Sequence, residues 1–325
     1  MAFTKKNSFK KSGAFKKKKA KPEKKVLTNP NDEVFPVVHW FPGHMAKATR
    51  MIQEYIKKVD VVIELLDARI PRSSANPVIT ELIGNKPHMV ILNKTDLADP
   101  KATAEWKAFF EDMGITVIAM DSKSGKGNKE LIKMVQKLSQ PIIDRWLNKG
   151  IRSRNVRTII LGIPNVGKST LINKLAGTAA TRTADKAGYT RGQQWVKLAN
   201  NIELLDTPGV LWPKLEDQRA AARLAMTGAI NDDVYDLESV IKLLIKHVHD
   251  NNPALLVERY KLSEEEMISV DSIVEHIGRR RGCLVSGGIV DLDKARRLIM
   301  NDYRNTKLGT VTLDGIDEEP YYVEE

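Results

Sequence analysis

The chain has 325 residues, 42% of them hydrophobic and 29% charged, which suits a globular protein of two domains. No apolar run reaches the roughly 18 residues of a membrane span, and the lysine-rich start lacks the apolar core of a secretory signal, so we expect a cytoplasmic protein without a membrane partner. The single cysteine, Cys283, excludes internal disulfides and a zinc site built from cysteines. The net charge of +11 favours a polyanionic partner such as nucleic acid, although solubility alone would also explain it.

Residues 1–35 are rich in lysine and poor in apolar side chains. Such a segment cannot bury enough surface to offset the entropy lost on ordering, so the sequence predicts a disordered basic arm. The arm can bind phosphate backbones without sequence preference, or it can serve only as a solubilising tail. The sequence leaves both interpretations open.

Residues 36–213 contain short apolar runs with helical patterns between most of them. The runs are VDVVIELLDAR, HMVILNKTD, ITVIAMDSKSG, VRTIILGIPN and IELLDTPG. Apolar strands that alternate with helices indicate a parallel sheet covered on both faces, and ligands bind such sheets at the carboxyl ends of the strands. We therefore predict an α/β domain whose site lies where these runs end.

The motif NKTD at residues 93–96 follows the second run. Guanine presents two adjacent N–H donors that the Asp96 carboxylate can accept, whereas adenine would leave that carboxylate without a partner. Asn93 can bond the other edge of the base, and the stem of Lys94 can cover its ring. Alone, NKTD is more often a helix cap. With a phosphate loop in the same chain, it predicts a guanine site.

Residues 162–169, GIPNVGKS, have the Walker spacing between a strand and a helix. Backbone N–H groups of such a loop wrap the phosphates, Lys168 reaches the terminal phosphates and the Ser169 hydroxyl ligates magnesium. The alternative is a plain glycine turn, which the complete motif disfavours. The residues expected to bind GTP here are Asn165, Val166, Gly167, Lys168, Ser169 and Thr170.

Two further segments are expected to complete the magnesium and γ-phosphate contacts. Asp206 of DTPG ends a strand and can hold magnesium through water, and Gly209 can offer its N–H to the terminal phosphate. Thr190 of AGYTRGQQW is the candidate for a second hydroxyl ligand of magnesium, in a loop that the triphosphate orders. Thr183 is a rival for that role.

Residues 214–310 have amphipathic helical patterns without strand-like runs, which predicts a separate all-α domain. Residues 220–224 and 240–248 are expected to belong to its core. Its basic residues either bind RNA phosphates or form a solvated face paired with Asp291, Asp293 and Asp302. These basic residues are the GRRRG stretch at 278–282, Lys294, Arg296, Arg297, Arg304 and Lys307. Residues 311–325 read as a frayed acidic tail.

The order NKTD, DSKSG, GIPNVGKST, Thr190 and DTPG resembles that of the circularly permuted GTPases, in which the base motif precedes the phosphate loop. DSKSGKG at 121–127 is similar to the loop whose backbone touches the guanine oxygen, with Ser122 and Lys123 in place and Asp121 where serine is usual. The permutation connects the segment after Asp206 directly to the helices, so we expect triphosphate binding to be relayed to them.

Within that family, HWFPGHMAKATR, DARIP, AGYTRGQQW and the helical C-terminal domain look like the members that act late in large-subunit assembly. The resemblance covers residues 37–310. It implies a P-loop GTPase fold, hydrolysis of GTP to GDP and phosphate, and Mg2+ as cofactor. It also implies the large ribosomal subunit precursor and its rRNA as partners of a monomer.

The resemblance also bears on how the γ-phosphate leaves. Val210 follows DTPG, where many GTPases have the glutamine that orients the attacking water. The resemblance implies that His44 is the catalytic residue and that Asn165 ligates K+ beside the phosphates. The alternatives are a structural histidine and an asparagine that only stabilises its loop. We expect slow intrinsic hydrolysis, accelerated by a ribosomal particle and potassium and coupled to release. An rRNA-binding scaffold with little turnover and a small-subunit assembly GTPase remain alternatives.

Overall fold

The structure, a computed structural model, describes residues 45–151, 154–179, 195–198, 201–205, 207, 209 and 217–318. The described residues fall into two compact units. The first unit comprises residues 45–209 together with Thr312–Glu318, and the second comprises residues 217–311. None of the helices in this described part of the chain is long and apolar enough to cross a membrane.

The first unit is built on a six-stranded sheet with the order β3-β2-β1-β4-β6-β5. All neighbouring strands are parallel except β5, which runs antiparallel to β6. Every residue of β1 is buried, which explains why its sequence is apolar except for Glu64 and Asp67. The strands are β1 (Val61–Asp67), β2 (His88–Asn93), β3 (Thr116–Met120), β4 (Val156–Leu161), β5 (Trp195–Lys197) and β6 (Ile202–Leu205).

Helices connect the parallel strands, as the alternating pattern predicts. The start of one of them is set by Asp99, whose side chain accepts a hydrogen bond from Ala102 N (2.7 Å), with Pro100 at the first helical position. It ends before Gly114, which has φ of 73°. The helices are α1 (Met45–Lys58), α2 (Pro77–Ile83), α3 (Pro100–Asp112), α4 (Asn128–Asn148) and α5 (Lys168–Ala179).

The strand order explains how a reordered chain still builds one site. The strand that carries the phosphate loop, β4, is fourth in the chain but lies between β1 and β6 in the sheet. Because these strands are parallel, their carboxyl ends meet at one edge. The predicted α/β fold with a mostly parallel sheet is confirmed. NKTD, DSKSG, GIPNVGKS and DTPG each follow a strand that ends at this edge.

The expectation of a frayed acidic tail is wrong for Thr312–Glu318, which we call the C-terminal strap. The strap packs on the first unit. Leu313 N donates to Arg69 O (2.8 Å), and Asp314 accepts hydrogen bonds from both the backbone N and the hydroxyl of Ser73 (2.7 Å each). Leu313 and Asp314 are both buried. The charge content predicted a solvated tail, but Asp314 is buried because it accepts hydrogen bonds from the buried donors of Ser73. Residues 319–325 lie outside the described residues.

The second unit is helical, as predicted. Aspartate and serine side chains cap its helices: Asp217, Asp236, Ser269 and Asp291 each accept hydrogen bonds from backbone N–H groups of the first turn. The apolar residues of the two expected core segments, 220–224 and 240–248, are buried except for Leu243, which is half-buried. The helices are α6 (Gln218–Met226), α7 (Leu237–Asn251), α8 (Ala254–Tyr260), α9 (Val270–Arg280) and α10 (Leu292–Arg304).

Candidate nucleotide-binding site

The phosphate loop joins β4 to α5 and depends on glycine for its shape. A Cβ atom at Gly162 would lie 2.5 Å from the backbone oxygen of Leu65, and one at Gly167 would collide with the side-chain amide of Asn93. Asn165 and Gly167 also adopt positive φ angles, of 57° and 106°. The loop is therefore held tightly against β1 and the base motif, and α5 begins directly after it at Lys168.

Asn93 of the base motif joins three loops. Its side chain is 2% exposed; Nδ2 donates to Val166 O of the phosphate loop (2.7 Å), and Oδ1 accepts from the backbone N (3.0 Å) and hydroxyl (2.7 Å) of Ser122. The sequence predicted a bond from Asn93 to the base. An amide nitrogen carries two hydrogens, and Val166 takes one of them, so both contacts are compatible.

Lys94 forms an ion pair that sequence reasoning missed. Its Nζ donates to Asp67 Oδ2 (2.9 Å), and Asp67 is also held by Arg69 through Nε to Oδ1 (2.9 Å) and Nη2 to Oδ2 (2.8 Å). Burial opposes ionisation of the Asp67 carboxyl, but the charges of Arg69 and Lys94 outweigh it and lower the pKa to about 2. The available signal was a carboxylate at the end of a mostly apolar strand, next to the base-motif strand.

The loop after β3 is organised by Asp121, the residue that departs from the usual serine. Its carboxylate accepts hydrogen bonds from Lys123 N (2.8 Å) and Ser124 N (3.1 Å). This local turn is typical of aspartate and presents the following residues at the edge of the sheet. Ser122 is buried against Asn93, whereas Lys123 and Asp96 are exposed.

The phosphate side of the site brings Lys168 and Gly209 together. Lys168 Nζ donates to the carbonyls of Gly162 (3.0 Å) and Ile163 (2.7 Å), and a Cβ at Gly209 would lie 3.0 Å from this Nζ. Thr207 fixes the segment that carries Gly209, because its hydroxyl donates to Ile160 O of β4 (2.5 Å). The structure therefore brings two of the predicted phosphate contacts to the same place.

The remaining predicted residues divide into two groups. Ser169 and Thr170 are exposed at the start of α5. The other candidates fall outside the described residues, as does the basic arm. These are His44, Thr183, Thr190, Asp206 and Val210.

The basic residues of the helical unit are partly used inside it. Arg304 donates to Met226 O (3.0 Å) and pairs with Asp232 (2.8 Å). Arg296 forms ion pairs with Glu238 and Asp293. The alternative of a solvated face had expected Asp293 as a partner of the basic residues.

Arg280 pairs with Glu266 (2.7 Å), and Asp302 pairs with Arg259 (2.8 Å), a residue outside the predicted basic set. Asp291 caps α10 by accepting from Lys294 N (3.0 Å). On and after α10, only some of the predicted basic residues are exposed. They are Lys294, Arg297 and Lys307.

Known proteins of similar sequence are named as ribosome-associated GTPases. A sequence profile described as "50S ribosome-binding GTPase" matches residues 157–276. Ribosome biogenesis GTPase A of Priestia megaterium is 46% identical over 284 residues, which cover 86% of this chain and 98% of the relative. Mitochondrial ribosome-associated GTPase 1 of Mus musculus is 32% identical over 307 residues, with coverage of 87% and 93%.

Solved structures of similar fold include two of one protein. The GDP-bound structure of YlqF from Thermotoga maritima has a TM-score of 0.59 and 28% identity, and covers 83% of this chain and 100% of that one. The GNP-bound structure of the same protein has a TM-score of 0.57 and 27% identity, with coverage of 84% and 100%.

A phosphate loop that follows its base motif in the chain, on a mostly parallel sheet, defines the class as a circularly permuted P-loop GTPase, an enzyme that hydrolyses GTP to GDP and phosphate. The length and identity of the matches then settle the family. The chain belongs to the ribosome biogenesis GTPase A family. It is a ribosome assembly GTPase, with guanine nucleotides and a ribosomal particle as partners, in a class that uses Mg2+. The family, fold and enzymatic activity predicted from the sequence are confirmed.

Proposed function

We propose that this GTPase acts late in maturation of the large ribosomal subunit, that the particle stimulates GTP hydrolysis, and that hydrolysis drives release. The observation that carries the proposal is the "50S ribosome-binding GTPase" profile. Its match begins in β4 and ends in α9 of the helical unit. The similarity between this chain and the profile therefore includes more than the phosphate loop.

In the proposed complex, Asp96 accepts the two N–H donors of guanine, and Lys94 covers the ring. The backbone of Ser122 and Lys123 approaches the guanine oxygen. What supports these roles is the arrangement of their loops, since Asn93 ties the base motif both to Ser122 and to the phosphate loop. Asp96 is exposed at the rim of the site, so its carboxylate is accessible to a ligand.

On the phosphate side, we propose that the Lys168 ammonium exchanges its two carbonyl partners for phosphate oxygens, which are far stronger acceptors for a cation. Gly209 N–H contacts the γ-phosphate. Mg2+ fits a hydroxyl such as that of Ser169, exposed at the start of a helix beside the phosphate loop. Thr190 would supply a second hydroxyl, and Asp206 would hold the ion through water. The ion would neutralise charge on the phosphates.

For the hydrolytic step, we propose that His44 positions or activates the attacking water, because Val210 has no polar group for that task. We also propose that Asn165 ligates K+ beside the phosphates. Asn165 is exposed, and its φ of 57° places it in a conformation that asparagine tolerates better than most residues. Potassium would supply positive charge that other GTPases take from an arginine.

The helical unit is proposed to contact rRNA through Lys294, Arg297 and Lys307, which are exposed. Contacts of this kind go mainly to the phosphate backbone and to the shape of the RNA. The protein is proposed to work as a monomer in the cytoplasm, where ribosomal particles assemble.

The test is binding to purified large and small subunits, with a non-hydrolysable GTP analogue, with GDP and without nucleotide. We expect the analogue to favour binding to large subunits. The triple variant Lys294→Ala, Arg297→Ala, Lys307→Ala should bind more weakly and with a smaller salt dependence. A control that removes three exposed lysines of the first unit, Lys133, Lys137 and Lys149, carries the same charge change. Equal binding to small subunits would contradict the proposal.

A further inference from the structure

The end of β1 lies directly beside the end of the base-motif strand. In the parallel pairing of β1 with β2, Asp67 is the partner of Asn93, one residue before Lys94. Asp67 is 2% exposed. A charge buried to this extent is stable only when it is paired and hydrogen-bonded, so its partners are fixed with it.

Both carboxylate oxygens of Asp67 have two donors. Oδ1 accepts from the backbone N (3.1 Å) and Nε (2.9 Å) of Arg69, and Oδ2 accepts from Arg69 Nη2 (2.8 Å) and Lys94 Nζ (2.9 Å). Arg69 therefore holds the carboxylate by three bonds, while the fourth holds the lysine. The arrangement leaves Oδ2 in one place, directed at Lys94.

The loop that contains Arg69 is anchored in turn. Asp67 N donates to Ser74 Oγ (3.0 Å), and Arg69 O accepts from Leu313 N of the C-terminal strap (2.8 Å). Asp314 holds Ser73 in the same loop by two hydrogen bonds. The carboxylate is thus fixed by its strand, its loop and the strap.

This arrangement restricts the conformation of the Lys94 side chain. A lysine side chain has four rotatable bonds and loses much rotamer freedom when it is held in one conformation. Lys94 is instead ordered by the ion pair with Asp67, and it is 18% exposed in the side chain. Groups that are ordered before a ligand arrives do not have to be ordered at its expense.

We propose that Asp67 is a positioning residue for guanine nucleotides: with Arg69 it holds the Lys94 ammonium so that the lysine stem lies ready to cover the base. The inference rests on the proposed assignment of Lys94 to the base. Because the base is common to both nucleotides, loss of this support weakens GDP and GTP equally. The chemical step, which takes place at the γ-phosphate, is unaffected.

The experiment compares Asp67→Asn, Lys94→Met and the double variant with wild type. Asparagine keeps the shape of Asp67 and loses the acceptor for Lys94 at one oxygen; methionine keeps an apolar stem at position 94 and loses the ammonium. Lys94→Met removes the same hydrogen bond from the more exposed side, so it still tests the inference if the buried substitution does not fold. The control, Asp60→Asn, makes the same change just before the other end of β1, where Asp60 pairs with Arg154.

The quantities to be measured are the Kd for GDP and for a GTP analogue, and KM and kcat for GTP hydrolysis. We expect each single variant to raise both Kd values and KM by about tenfold, the size expected when a charge-assisted hydrogen bond is lost, with kcat within about twofold. The double variant should be no weaker than Lys94→Met alone, since the two residues act as one unit. Asp60→Asn should match wild type in both nucleotide affinities.

Two results would overturn the inference while leaving Lys94 assigned to the base. The first is wild-type affinity in Asp67→Asn together with weak binding in Lys94→Met; the second is a full additive loss in the double variant. Wild-type affinity in Lys94→Met would overturn both the inference and the assignment. A fall in kcat with unchanged KM would place Asp67 in the chemical step and contradict positioning.

Discussion

The link that Asn93 makes between three loops predicts a large effect of Asn93→Ala. The substitution leaves the backbone N–H of Ser122 and the carbonyl of Val166 without their partner, and these residues are 2% and 0% exposed. Each buried group left unsatisfied costs about 1–3 kcal/mol. The Ser122 hydroxyl can rotate to another acceptor, so we count the two backbone groups and expect about 3 kcal/mol. If the loss appears in nucleotide binding, it amounts to roughly a hundredfold in Kd.

Two measurements separate this loop linkage from a direct contact with the base. Calorimetry gives the Kd for GDP and a GTP analogue, and hydrogen exchange without nucleotide reports on residues 121–124 and 162–167. We expect faster exchange in both segments. The control is Asn155→Ala, which removes a side-chain hydrogen bond to Glu203 (2.8 Å) just before the amino end of β4. Unchanged exchange in the phosphate loop, with GDP affinity within about threefold of wild type, would refute the reasoning.

Three further predictions concern individual side chains. The pKa of Asp67 is lowered from 3.8 to about 2, so its contribution to stability is complete above about pH 4 and is lost as the pH falls through 2. The difference in free energy of unfolding between wild type and Asp67→Asn should therefore be constant above about pH 4 and shrink as the pH falls towards 2, when both are unfolded in urea over that range. Asp314→Ala leaves the buried N–H and hydroxyl of Ser73 without acceptors and should lower the free energy of unfolding by about 3 kcal/mol in urea, with no additional loss when Ser73→Ala is combined with it. Arg304→Ala should lower the melting temperature of the helical unit, whereas Lys307→Ala should not, because Arg304 bonds to two backbone carbonyls of that unit and Lys307 is exposed.

Most of the fold could be predicted because its signals are local. The buried strands are visible as continuous apolar runs, and the phosphate loop has a fixed spacing between a strand and a helix. The order of motifs in the chain did not hinder this, since parallel strands bring their carboxyl ends to one edge whatever their sequence order. The core segments of the helical unit likewise follow from helical periodicity.

The support around the base motif could not be predicted in the same way. Asp67 and Lys94 are 27 positions apart, and they meet only because β1 and β2 pair in one particular register. Nothing in the spacing of the two residues specifies that register.

The C-terminal strap escaped prediction for a related reason. Its composition is acidic, and a short acidic segment at a chain end is usually solvated. Asp314 is buried only because Ser73, 241 positions earlier, presents two donors to it. The role of Asp121 was also not predicted, since the sequence showed only that it stands where serine is usual. The carboxylate instead accepts two backbone N–H groups of its own loop.

The most direct test of the proposed function is the rate of GTP hydrolysis in potassium buffer, measured for the protein alone and with purified large or small ribosomal subunits. We expect slow turnover alone, acceleration by large subunits only, and loss of that acceleration when potassium is replaced by sodium or His44 by alanine. Equal turnover under every condition, or acceleration by small subunits, would contradict the proposed function.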